Sequence, residues 1–292
     1  IRRPPRSTHP LRRQRQMCIR DSISAVGESI TDWKIGDEVV AMTGYGGFRE
    51  QVIVSAAQIY KKPISMDFTT ASCFTLTYGT SQYALKNRGQ LKEGETLLVL
   101  GAAGGVGISA VEIGKALGAK VIAAASSDEK LEVCKQYGAD EVINYGGYDL
   151  TDRDQVKQFR NEIAKATGGK GPDVIYDPVG ADFTEPALRS IAWNGRFLVI
   201  GWAAGHIPKI PMNLYLIKGC SAVGVFWGQF TALEPQNHLD NMNQLTSWYE
   251  EGKLKAPVTE VLPLERGQEA LETILARKAT GKIALTTSFY KS

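Results

Sequence analysis

The sequence predicts an alternating α/β protein: a doubly wound parallel sheet with helices on both faces, preceded by a small β module. Three observations carry this. From Glu95 onward, β-branched or aliphatic runs alternate with helical patterns at spacings that fit strand–helix–strand crossovers. Six such runs can be counted. The turn after the first one is a cluster of glycines, Gly101, Gly104, Gly105 and Gly107, placed to open a helix.

Element by element, residues 35–40 form a glycine-led turn followed by β-branched residues, and residues 50–55 form a second strand-like run after a glycine-rich stretch. An obvious first strand pair is missing upstream, so the reading frame is expected to be truncated at its amino end. The strands of the large sheet are expected at 96–100, 120–125, 141–144, 173–176, 195–200 and 221–226. In residues 106–117, Val106, Ala110, Ile113 and Leu117 recur at helical spacing, and Gly118 ends that helix as a residue able to take positive φ. Further helices are expected at 129–137, 152–167 and 185–192. A helix at 264–277 and a last strand at 282–286 close the chain.

The glycine turn at 101–107 lies between a buried strand and a helix amino terminus. There, unpaired N–H groups from Ala103, Gly104, Gly105 and Val106, together with the helix dipole, face an incoming pyrophosphate. Gly101 permits the tight turn, Gly104 admits close approach of phosphate, and Gly107 lets the helix pack closely. A glycine triplet alone fits any strand–helix turn; the strand before it and the helix and strand after it point to a dinucleotide. At the end of the second strand, where an NAD-type site places an acid, the chain reads Ser126, Ser127, Asp128, Glu129, Lys130. Two hydroxyls and a lysine one turn into the helix suit a 2′-phosphate and favour NADPH over NADH. Asp128 argues the other way, and Ser126 with Glu129 also fits a capping box.

Composition excludes several classes. With 43% hydrophobic and 22% charged residues among 292, the chain is ordinary globular material. Its apolar runs stop far short of the roughly 18 residues of a membrane-spanning helix. Four cysteines, Cys18, Cys73, Cys134 and Cys220, lie tens of residues apart with no Cys-x-x-Cys, which fits neither a disulfide scaffold nor a cysteine-built zinc site and suggests a cytoplasmic setting. The formal charge of +3 is set by the first 22 residues, with seven arginines and one acid; the remainder holds 27 basic against 30 acidic residues, a net of −3, so no nucleic-acid surface is expected. That head, 1–22, is set aside as non-native or disordered; a mitochondrial presequence would require it to be genuine, and Pro4, Pro5 and Pro10 oppose the helix such a presequence forms.

From about Val26 to the carboxyl end, the chain resembles the zinc-independent medium-chain dehydrogenase/reductases of the zeta-crystallin-like NADPH:quinone oxidoreductase group. The resemblance rests on Thr43-Gly-Tyr-Gly-Gly-Phe48, residues 77–85, the 101–107 turn, Val142-Ile-Asn-Tyr145, Asp173-Val-Ile-Tyr-Asp-Pro-Val-Gly180, residues 195–201 and Gly224-Val-Phe-Trp-Gly228. It implies a Rossmann domain at 81–255, a partial GroES-like substrate domain at 23–80 and a return to that domain at 256–292. It also implies that Thr80 contacts the nicotinamide end, Lys130 and Tyr145 the 2′-phosphate end, and the main chain at Gly201, Trp202, Phe226 and Trp227 the nicotinamide ribose and ring. Tyr145, Phe226 and the tryptophans equally suit plain packing. Four residues before Thr80, where zinc-dependent relatives carry a ligand, stands Leu76, so no zinc is expected. His206, in a loop after the fifth strand, suits either a proton relay or a solvated loop position.

The implied function is metal-independent, NADPH-dependent hydride transfer to a small electrophilic acceptor, a quinone or an α,β-unsaturated carbonyl. The alternatives are an enoyl or acryloyl thioester reductase, and a non-catalytic NADPH-binding protein of crystallin-like or RNA-binding type. The resemblance further implies a homodimer joined along residues 221–226. The sequence singles out no catalytic residue.

Overall fold

The computed structural model describes residues 18–43 and 46–287 of the chain. The expected head up to residue 17, and the centre of the Thr43–Phe48 motif at 44–45, lie outside the described residues. The described residues form two compact units, one drawn from those up to 76 and from 257 onward, the other from 77–256. The boundary expected at 80/81 falls inside a helix, α1 (Phe68–Gln82), which a π-helical turn at Tyr83–Arg88 continues.

In the first unit, β1 (Cys18–Ser22), β2 (Glu38–Met42) and β3 (Ile59–Lys61) form an antiparallel sheet in that order. Ser22 lies opposite Glu38 and Cys18 opposite Met42. This corrects two expectations. The last five residues of the supposed head are a paired strand, because β2 offers a full antiparallel edge to their backbone. Residues 50–55 are not a strand. They alternate as expected, but Ile53 is fully exposed and no ladder partner is assigned there; the third strand is the shorter run at 59–61, opened by a 3-10 turn that Ser55 and Gln58 cap reciprocally. The return segment forms β10 (Glu260–Pro263), α9 (Gly267–Leu275) and β11 (Ile283–Thr286), with β10 and β11 parallel.

The second unit is a six-stranded, wholly parallel sheet of β4 (Thr96–Leu100), β5 (Lys120–Ala125), β6 (Glu141–Asn144), β7 (Val174–Asp177), β8 (Arg196–Val199) and β9 (Ser221–Gly224). Its order is β6-β5-β4-β7-β8-β9. Leu97, Leu98, Val99 and Leu100 are all fully buried, as a strand covered on both faces requires. The crossover helices are α2 (Gly105–Ala116), α3 (Asp128–Gln136), α4 (Arg153–Ala166), α5 (Thr184–Arg189) and α6 (Asn213–Lys218), followed by α7 (Trp227–Leu233) and α8 (Pro235–Glu250). The chain winds outward from β4 through β5 to β6, then returns to β7 on the other side of β4. The switch point therefore lies beyond the carboxyl end of β4, where open α/β sheets bind ligands. No helix among the described residues is long and apolar enough to cross a membrane.

A candidate dinucleotide site at the switch point

Because all six strands run the same way, the segments that follow them gather along one edge of the sheet. Those segments hold the glycine turn after β4, Ser126 to Lys130 after β5, Tyr145 and Gly146 after β6, the Pro178–Gly180 turn after β7, Gly201 and Trp202 after β8, and Phe226 and Trp227 after β9.

The glycine turn is shaped by close contacts at Gly101 and Gly107 that admit no side chain there. Gly101 has φ +61, and a Cβ there would lie 2.7 Å from Val179 Cγ2. At Gly107 a Cβ would lie 2.3 Å from the Gly101 carbonyl oxygen and 2.6 Å from that of Ala102. Gly107 thus holds α2 against the loop rather than against the sheet face. Gly104, extended at φ −77 and ψ 167, would meet only the Gly101 oxygen at 3.4 Å, so space lies open in front of it. The first intrahelical bond runs from Ile108 N–H to the Gly104 carbonyl at 2.8 Å, which leaves the amides of Gly105, Val106 and Gly107 without a carbonyl from their own helix.

A buried hydroxyl network holds the start of α2 in place. Ser81 Oγ donates to the Val106 carbonyl at 3.1 Å and lies 2.8 Å from Ser109 Oγ and 2.9 Å from Tyr176 Oη. Ser109 Oγ in turn reaches the Thr77 carbonyl at 3.1 Å. Thr80, half-buried, is therefore carried beside the glycine turn by its neighbour Ser81, while Gly79 lies against the Trp227 indole, 2.8 Å from a would-be Cβ. Full burial pushes the Tyr176 phenol well above its ordinary range.

At the far end, Ser127, not Ser126, caps α3, its Oγ accepting from Lys130 N–H at 3.4 Å. The Ser126–Glu129 capping box is thereby corrected: helix geometry starts one residue later, and Ser126 is left to accept from Lys130 Nζ at 3.2 Å. Asp128 accepts from the Asn144 side chain at 2.7 Å. Tyr145 packs at 4.6 Å from the Phe183 ring and edge-on to Phe159. Gly146, which sequence reasoning missed, approaches Ser126 so closely that a Cβ would lie 2.0 Å from its carbonyl oxygen.

The turn after β7 is governed by Asp177, also missed. Its buried carboxylate accepts from Val179 N–H at 2.9 Å, Gly180 N–H at 2.8 Å and Thr184 Oγ1 at 2.7 Å. Burial raises its pKa, and those three donors oppose the rise. Gly180, at φ +71, has Trp202 Cδ1 2.6 Å from its would-be Cβ. Phe226 is 69% exposed, whereas Trp227 is buried with its indole Nε1 lacking a hydrogen-bond partner, so the two expected neighbours face opposite ways. His206 sits in an exposed loop with Nε2 3.6 Å from Asp182 Oδ1.

These residues fit a dinucleotide: space is open at Gly104, the amides that follow it lack a helix carbonyl, and Lys130 Nζ lies at Ser126 Oγ at the end of the next strand. Among the described residues, no group of three or more His, Cys, Asp or Glu side chains could hold a metal ion.

Comparison with known proteins agrees with this geometry. Residues 105–247 match the family described as zinc-binding dehydrogenase. The chain is 36% identical over 272 residues to the quinone oxidoreductase-like protein 2 homolog of Nematostella vectensis, covering 92% of this chain and 72% of that protein. Among solved structures, mycobacterial Rv1454c complexed with NADPH superposes with a TM-score of 0.84 at 27% identity, covering 92% of this chain and 81% of that one. The CurK enoyl reductase superposes with a TM-score of 0.79 at 28% identity, covering 93% and 78%.

Proposed function

Because the chain belongs to the quinone oxidoreductase family of the medium-chain dehydrogenase/reductases, we propose that it is an NADPH-dependent reductase of quinones or α,β-unsaturated carbonyls. The observation that carries this is the pairing of a glycine turn, closed to side chains at Gly101 and Gly107 and open at Gly104, with Lys130 and Ser126 at the end of the next strand.

Bound at this edge, NADPH supplies the hydride. The protein's part is binding and orientation. Amides at the start of α2 meet the pyrophosphate with their partial positive charge, and Lys130 Nζ supplies a full charge to the 2′-phosphate. The hydroxyl network under Val106 keeps the amides from shifting, and Asp177 keeps the 178–180 turn folded by taking up two of its N–H groups. Positioning of this kind accounts for large rate factors without a covalent or metal-bound step.

The acceptor is an electron-poor conjugated carbonyl. Kinship with quinone oxidoreductase-like proteins favours a quinone, and likeness to the CurK enoyl reductase favours an enoyl thioester as the second reading. Self-association along the outer edge of β9 belongs to the same proposal, supported by the exposure of Leu216 and Ile217 on the preceding helix.

Calorimetric titration with NADPH and NADH, followed by NADPH consumption against a panel of quinones, enals and enoyl thioesters, tests the reading. Tight NADPH binding, weaker NADH binding and turnover of one acceptor class are expected. Absence of binding to either nucleotide overturns it, and binding without turnover of any acceptor leaves a nucleotide-binding protein in its place.

A further inference from the structure

At the sheet edge opposite the glycine turn, five cations surround one cavity. Lys157 and Arg160 come from α4, Lys170 from the turn after it, Arg189 from the end of α5 and Lys218 from the end of α6. The cavity measures about 440 Å3, and no acidic residue lines it. Arg189 is paired with Glu185 at 2.6 Å, outside the cavity wall. Among the described residues, Lys157, Arg160, Lys170 and Lys218 make no ion pair, whereas Lys115, Lys135, Arg196, Lys253 and Arg266 all do.

Arg160 shows the imbalance most clearly. Its Nε is buried without a hydrogen-bond partner, a state that native proteins rarely keep for a charged donor. Lys157 and Arg160 stand three residues apart on one helix face, where like charges repel. An anion in the cavity would relieve both.

The cavity floor is fixed. Gly171 has φ +79, and a Cβ there would lie 2.2 Å from the Ser190 carbonyl oxygen. The carbonyls ending α4, which would repel an anion, are already taken: Thr167 Oγ1 donates to Ile163 O at 2.8 Å, Gly169 N–H to Ala164 O at 2.7 Å and Lys120 Nζ to Ala166 O at 3.0 Å. The amides of Lys170 and Gly171 are also spent, on Thr167 O and Thr167 Oγ1. Recognition therefore falls to side-chain cations, which select for charge rather than for backbone-matched shape. A space of this size falls in the range of small-molecule pockets and exceeds one phosphate.

The cavity borders Gly171, Ser190 and Ile191, which lead into β7 and β8, while the glycine turn leaves the other end of β4. One strand of five residues spans roughly 16 Å, so the two places do not share a ligand's phosphates. We infer that this cavity is a second anion site, which takes a small molecule bearing two or more linked phosphates.

The test titrates inorganic tripolyphosphate into the full chain with and without saturating NADPH. A binding event that survives saturation, weakens steeply with added salt and exceeds the affinity for sulfate is expected. In Lys157→Ala/Lys170→Ala, whose two lysines are exposed and unpaired, that event weakens by about tenfold or more, in line with lost charge-assisted contacts, while the Kd for NADPH is unchanged. Arg160→Gln, read by the same titration, gives a comparable loss. Titration with a nucleoside triphosphate then shows whether the base adds affinity to the phosphate chain. Loss of all tripolyphosphate binding under saturating NADPH, or equal binding by the double variant and the parent, overturns the inference. A chain that binds no NADPH leaves the comparison of variants intact, so the two proposals fail separately.

Discussion

Gly104→Ala and Gly107→Ala, three residues apart in one turn, are expected to fail in different ways. At Gly107 the nearest backbone oxygen stands 2.3 Å from the added methyl, and a Cβ contact under 3.0 Å forces a shift, so α2 or the loop moves by at least about 0.7 Å. Overpacking of that kind costs about 1–3 kcal/mol, against which alanine returns up to about 1 kcal/mol of helix propensity. With that offset in full, the net loss of up to about 2 kcal/mol lowers the melting temperature by up to roughly 8 °C for a domain of this size. Because Gly105, Val106 and Gly107 move together, NADPH binding also weakens by about tenfold or more. At Gly104 the methyl meets only one oxygen, at 3.4 Å, on a backbone that alanine adopts freely. Stability then changes by no more than about 1 kcal/mol, the scale of an N-cap preference. The methyl occupies the open space that a phosphate would enter, so affinity still falls about tenfold. Thermal melts and calorimetry on both variants decide the matter. Parent-like NADPH affinity in Gly104→Ala, or parent-like melting and affinity in Gly107→Ala, would refute the reasoning.

Lys130→Ala should raise the Kd for NADPH about tenfold, one lost charge-assisted contact, and leave NADH nearly unchanged; equal losses would show that Lys130 does not sense the 2′-phosphate. Ser81→Ala strands Tyr176 Oη in a dry interior and should cost about 1–3 kcal/mol in urea unfolding; an unchanged midpoint would contradict this. Glu112, buried, accepts from Tyr78 Oη and from Lys255 N–H at 2.7 Å. Burial raises its pKa, with those bonds opposing the rise. Below the ordinary glutamate range both folded and unfolded chains hold this proton. As pH climbs toward the raised folded value the unfolded chain releases it first, so this group's contribution to stability falls across that window and is level above it. Glu112→Gln should remove that fall, and parallel stability–pH profiles for the two proteins would exclude it.

What the sequence by itself determined is the parallel sheet and its glycine turn. Runs such as Leu97 to Leu100 are buried on both faces and carry their own signature, and Gly101 with Gly107 answers a local backbone demand. Tertiary structure decided the rest. Helix α1 was not foreseen, because Thr69, Ala71, Thr75, Thr77 and Tyr78 are buried around most of its circumference, and its threonines and serines read as polar until Val106, Ser109 and Tyr176 are brought to meet them. Residues 50–55 have strand alternation, yet a strand exists only where another offers a ladder, and β2 offers its second edge to 59–61. Gly146 and Asp177 matter for the neighbours that chain crossing supplies, Ser126 in one case and Thr184 with the 178–180 turn in the other. Local periodicity reports which face of a segment is apolar. Which distant segment comes to cover that face, and which hydroxyls and cations are thereby gathered into one place, is settled only when the chain closes on itself.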